Sequence, residues 1–186
     1  MQHEIILILD FGSQYTQLIA RRLRELGVKT VIERGDLGED EIRDESPIAV
    51  VLSGGPASVF EDGALQVDPV VFELGVPVLG ICYGLHLMAR DLGGEVSSST
   101  RREYGLAELE VVGEKSVFLD TPSEQPVWMS HGDLVERIPE GFEVLARTPT
   151  TGVAAMCDSS RRFIGLQFHP EVQHTPHGTS ILEHFI

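Results

Sequence analysis

A cysteine sits where an apolar run turns into a helical pattern, in Gly80-Ile81-Cys82-Tyr83-Gly84. A residue on such a strand-to-helix elbow is lifted out of the sheet, and small glycines let strand and helix approach closely. The helix dipole and its free N–H groups behind Cys82 favour an anionic sulfur, and the thiolate is the nucleophilic form. Farther along, Gln167-Phe168-His169-Pro170-Glu171 supplies a base and a carboxylate in an extended segment. Pro170 fixes its own φ and biases His169 toward β geometry, so the His169 and Glu171 side chains project to the same side. Cys, His and Glu together make the set a thiol-based acyl transfer requires: nucleophile, base and the acid that orients the base.

These residues need a scaffold, and the chain alternates strand and helix patterns through its first half. Residues 4–10, 28–32, 48–52 and 76–81 read as buried strands, and residues 14–26, 65–74 and 85–92 as helices. The acidic run Glu39-Asp40-Glu41 reads as a solvated helix start. Such alternation predicts an α/β fold with a mostly parallel central sheet and helices on both faces. In the second half, short strands are expected at 106–112, 116–119, 127–129, 142–147, 153–157 and 163–168. No long helices separate them, so that region is expected to be mixed or antiparallel. A last helix is expected at 178–185. With no repeat or linker, the 186 residues suit one domain.

Composition limits the partners. The 29 acidic against 14 basic residues give a net charge of −15, which argues against nucleic acid or an anionic membrane surface. The N-terminal residues enter a strand directly, without a basic n-region or a long apolar run, and two cysteines fit a reducing compartment. A cytoplasmic protein is expected. Cys157, within a strand pattern, reads as a core residue. His174 and His177 read as a solvated loop, since no cysteine or paired carboxylate completes a ligand set; no metal site is expected.

The elbow, the turn Ser53-Gly54-Gly55-Pro56 and the segment Gln167-Phe168-His169-Pro170-Glu171 resemble the signatures of class I, triad-type glutamine amidotransferases. Asp10-Phe11-Gly12-Ser13-Gln14-Tyr15-Thr16, Trp128-Met129-Ser130-His131-Gly132-Asp133 and Glu171-Val172-Gln173-His174-Thr175 narrow the likeness to the glutaminase domains of GMP synthetases. The resemblance covers the chain from Ile5 to Phe185. It implies a flavodoxin-like fold and hydrolysis of the L-glutamine side-chain amide, with ammonia passed to a synthetase that aminates XMP to GMP. Cys82 would then be the nucleophile that forms a γ-glutamyl thioester, His169 the general base and acid, and Glu171 its orienting carboxylate. The Gly55 and Tyr83 N–H groups would form the oxyanion hole. Gly54, His86, Ser130, His131, Gly132 and Asp133 would bind substrate, with Asp133 as the ammonium partner. His131 also reads equally well as a turn residue that orders its loop.

Members of the family it resembles usually carry glutamine where this chain has His86, which implies weaker substrate binding or a site that orders with its partner. Ser53-Gly54-Gly55-Pro56 lacks the Asp-Ser of an SGG-type pyrophosphate loop, and neither a Walker A nor a dinucleotide fingerprint occurs. No cofactor is expected in this chain; ATP and Mg2+ belong to the partner, an ATP-pyrophosphatase (synthetase) domain or subunit that residues 1–186 do not include. Two alternatives stay open on sequence. One is a glutaminase for another acceptor, such as those of anthranilate, carbamoyl phosphate or imidazole glycerol phosphate synthesis. The other is a weakly active or inactive partner-binding module of the same fold.

Overall fold

The computed structural model describes residues 4–113 and 116–186, the side chains of 99–102 excepted. Nine strands form one sheet: β1 (Ile5–Asp10), β2 (Lys29–Arg34), β3 (Ala49–Leu52), β4 (Val78–Ile81), β5 (Glu95–Val111), β6 (Glu124–Arg137), β7 (Glu143–Arg147), β8 (Ala155–Asp158) and β9 (Phe163–Leu166). The helices are α1 (Thr16–Glu25), α2 (Glu39–Glu45), α3 (Tyr83–Asp91) and α4 (Gly178–Phe185). The spatial order is β2-β1-β3-β4-β9-β8-β7-β5-β6. Strands β2, β1, β3, β4 and β9 run parallel, and the pairings from β9 through β8, β7 and β5 to β6 are antiparallel. The parallel half with an antiparallel extension agrees with the pattern expected from sequence.

The parallel strands are covered on both sides, which is why they read as continuous apolar runs rather than alternating ones. Ile6, Ile8, Val51 and Ile81 pack on one face with Ile19 and Leu23 of α1 and Leu182 of α4. Leu7, Leu9, Val50 and Leu52 pack on the other with Ile42 of α2 and Leu85 and Met88 of α3. Alternate residues of each strand thus feed two separate cores.

Two segments differ from expectation. Residues 65–74 hold only a short 3-10 turn, Pro69–Phe72. Pro69 keeps Asp68 extended, at ψ 128, and Asp68 caps the turn through Val70 N, so no helix can start upstream. Gly75, at φ 73, ends the segment. Ser116–Phe118 is likewise a 3-10 turn and not a strand; it packs against α4, with Phe118 O accepting from Thr121 N and Oγ1. The expected strands 106–112 and 127–129 are the ends and middles of much longer ones, β5 and β6, which form an antiparallel hairpin.

Candidate active site

The elbow is tight because its glycines admit nothing larger. A Cβ on Gly84 would lie 2.3 Å from Leu52 O, and one on Gly80 would lie 2.6 Å from Gly84 O. Helix α3 is thereby pressed onto the ends of β3 and β4. Cys82 makes the turn at φ 51 and ψ −103, a strained conformation for a residue with a side chain. Its own N–H bonds Leu166 O of β9 at 2.7 Å, and its carbonyl accepts His86 N. The sulfur donates to Ser130 O at 3.4 Å.

His169 and Glu171 follow the end of β9, the strand hydrogen-bonded to β4, so two neighbouring central strands deliver Cys82 and His169 to the same carboxyl end of the sheet. His169 Nδ1–H donates to Glu171 Oε1 at 2.7 Å, which leaves Nε2 for the thiol. Both residues are buried. Burial pulls the His169 pKa down, but the Glu171 carboxylate and the Cys82 sulfur outweigh it, and the imidazole is held well above the usual histidine range. The main chain here is stitched to β6: His169 N donates to Trp128 O at 3.0 Å, and Thr175 Oγ1 accepts from Trp128 N while donating to His169 O.

Cys82 and His169 open onto a cavity of about 770 Å³ at the carboxyl ends of β1, β3 and β4, also lined by Gly55, Tyr83, Ser130, His131, Gly132 and Asp133. This is where α/β sheets place ligands. Tyr83 N–H, at the first position of α3, has no intrahelical acceptor. Gly55 lines the same cavity and is pressed so close to the chain before α1 that a Cβ there would lie 2.7 Å from Phe11 O. Gly54 is buried behind the triad, with its Cβ direction 3.0 Å from His169 Cε1 and 3.7 Å from Cys82 Cβ. Any side chain at 54 would push the base away from the sulfur.

The remaining expected residues are brought together, with roles already partly filled. Asp133 Oδ2 accepts Ser58 Oγ at 2.6 Å and Val59 N at 3.2 Å, and Oδ1 accepts Ser98 Oγ at 3.1 Å. A carboxylate has about four acceptor positions, and among the described residues three of them are taken. His131 Nδ1–H donates to Asp133 O at 3.0 Å, and its Nε2 lies 3.3 Å from Glu103 Oε2, which also accepts from Thr151 Oγ1. Burial lowers the His131 pKa against the pull of Glu103. His86 edges the cavity but is only 3% exposed, and its Nε2 is committed to Gln167 Oε1 at 2.8 Å. Gln167 Nε2 is buried and has no hydrogen-bond partner among the described residues.

Sequence reasoning missed Ser58 and Ser98, which hold Asp133, and Tyr15, whose ring meets His169 edge-on at 5.3 Å. Tyr15 lay within the Asp10–Thr16 segment already singled out; the serines carried no signal of their own. Cys157 is buried in the core, as expected. Among the described residues no group of three or more His, Cys, Asp or Glu is arranged to hold a metal ion, and no helix is long and apolar enough to cross a membrane.

A thiol on a strained elbow, paired with a carboxylate-backed imidazole at the carboxyl ends of parallel strands, defines a triad-type thiol amidotransferase fold. The chain belongs to the glutamine amidotransferase class-I family, whose model it matches over residues 7–186. It is 50% identical over 185 residues to a GMP synthase [glutamine-hydrolyzing] of Staphylococcus epidermidis and 49% identical to that of Staphylococcus aureus. Those alignments take in 100% of this chain and 36% of the length of the relatives. Among solved structures, a GMP synthase subunit protein from Thermoplasma acidophilum is 31% identical with a TM-score of 0.85, over 98% of this chain and 92% of its own. A glutamine amidotransferase from Thermotoga maritima has the same fold at 23% identity and a TM-score of 0.73, over 91% of this chain and 77% of its own.

Proposed function

We propose that this chain hydrolyses the side-chain amide of L-glutamine to glutamate and ammonia, and that the ammonia serves a synthetase that aminates XMP to GMP. The observation that carries the chemistry is the Cys82, His169, Glu171 arrangement opening onto the cavity. The assignment to GMP synthesis rests on the 50% identity to GMP synthases. In this reading His169 takes the Cys82 proton and the sulfur attacks the amide carbon. The tetrahedral oxyanion lies against the N–H groups of Gly55 and Tyr83, each worth roughly 3 kcal/mol in the transition state. Collapse expels ammonia with the proton carried by His169 and leaves a γ-glutamyl thioester. Water, deprotonated by His169, then releases glutamate and returns the thiol. Glu171 holds the imidazole tautomer and stabilises the imidazolium throughout.

The fourth acceptor position on Asp133 suits the substrate ammonium, and the Ser130 to Gly132 segment its carboxylate. The partner is a synthetase domain or subunit that brings ATP and Mg2+; the site of reaction is the cytoplasm. The experiment is ammonia release from saturating glutamine by the chain alone and with the synthetase, ATP and XMP, beside Cys82→Ala. Release that depends on Cys82 supports the reading. Equal release by Cys82→Ala, or none even with the partner, overturns it.

A further inference from the structure

Helix α1 packs on one face of the sheet, and Arg22 within it and Tyr15 at its N-cap touch Glu171 and His169. Tyr15, immediately before α1, sets its ring edge-on to His169. Two turns farther along, Arg22 Nε–H donates to the main-chain oxygen of Glu171 at 3.2 Å, a contact between residues 149 positions apart. The other end of the same guanidinium is held by Glu25, through Nη1 to Oε2 at 3.1 Å. Arg22 is three-quarters buried at the side chain.

Glu171 is fully buried, and its carboxylate is fastened at one point. Oε1 accepts from His169, while Oε2 has no hydrogen-bond partner among the described residues. The direction of that single bond therefore depends on where the main chain holds residue 171. On the N-terminal side the chain is fixed by Trp128, Thr175 and the ring of Pro170. At residue 171 itself the tie is Arg22.

We propose that Arg22 is a positioning residue for the triad: by anchoring the Glu171 carbonyl it holds the carboxylate in line with His169 Nδ1. Its charge is already paired with Glu25, so it acts through the hydrogen bond and not through its field. The proposal rests on the triad reading above.

The test compares two uncharged replacements of similar length. In Arg22→Gln the side-chain amide nitrogen takes the topological position of the arginine Nε, so a donor to Glu171 O is kept while the Glu25 pair is lost. Arg22→Met has the same reach and no donor. Two readouts are made: kcat and KM for glutamine, and the pH dependence of Cys82 alkylation by iodoacetamide, with the Cys82 peptide resolved from that of Cys157 by mass spectrometry. His169→Ala serves as the reference for an uncoupled thiol. Arg22→Met is expected to lower kcat about tenfold or more with KM within about twofold, and to move the alkylation profile toward that of His169→Ala. Arg22→Gln stays near wild type in both. Methionine and glutamine variants that behave alike, or a methionine variant matching wild type, would overturn the proposal. If Arg22→Met does not fold, Arg22→Ala is read against Arg22→Gln in the same way. A wild-type alkylation profile identical to that of His169→Ala would overturn the triad itself, which separates the two failures.

Discussion

Replacing His86 by glutamine should remove an acid-sensitive element from the core. His86 is 3% exposed, and burial depresses its pKa to about 4, against about 6.5 in an unfolded chain. Because the folded pKa is the lower one, the unfolded state takes up the proton first. The contribution of His86 to stability is thus intact above pH 6.5 and is lost as the pH falls toward 4. The shift of roughly 2.5 units corresponds to about 3 kcal/mol in all, of which about 2 kcal/mol disappears between pH 7 and pH 5. His169 works in the opposite direction, since its folded pKa is raised and its contribution is present at low pH and lost at high pH. That term is common to both proteins and cancels in their difference. Urea unfolding of wild type and His86→Gln at pH 7 and pH 5 gives four free energies. The variant should lose about 2 kcal/mol less than wild type over that interval. At pH 7 it should gain about 1 kcal/mol, because a glutamine carbonyl at 86 can accept from the buried Gln167 amide nitrogen, which has no partner among the described residues. An identical pH dependence in the two proteins would refute the argument from burial.

Three further outcomes follow from the site. Glu171→Gln should let the His169 pKa fall toward the ordinary range, move the acid limb of kcat/KM to lower pH, and cost on the order of 10³-fold or more in kcat; a pH–rate profile checks this, and an unmoved limb contradicts it. Cys82→Gly should be more stable than Cys82→Ala by about 1 kcal/mol in chemical denaturation, because glycine accepts φ 51 without strain; equal stabilities would show that the elbow is not strained. Gly84→Ala, whose Cβ would lie 2.3 Å from Leu52 O, should destabilise the fold by about 3 kcal/mol despite the better helix propensity of alanine, seen as a lowered unfolding midpoint.

The parallel half was legible because its strands are buried on both faces, so β1, β3 and β4 stand out as unbroken apolar runs. The elbow and the His169-Pro170-Glu171 segment were legible because backbone sterics leave few residue types that fit. The hairpin β5–β6 was not read at full length for the opposite reason. In β6, Val127, Met129, His131, Asp133 and Val135 are all buried at every second position, a strict strand period. The expected strand stopped at Met129, short of the two polar members, although their inward direction is what puts them at the cavity. The overcalled helix at 65–74 failed on Pro69, whose effect on the preceding residue outweighed the apolar spacing. The tie of Arg22 to Glu171 joins distant parts of the chain through a main-chain atom, which no local pattern encodes.

The pairing of β4 with β9 has a consequence in time. Cys82 is made well before His169, and the two become neighbours only when Cys82 N finds Leu166 O. Strand β9 must slot between β4 and β8, bringing together segments far apart in the chain, the kind of non-local contact that forms late and slowly. A nascent chain that has not yet reached β9 therefore carries the cysteine without the His169 imidazole that the proposed reaction needs. Synthesis itself delays the chemistry until the sheet that contains it is complete.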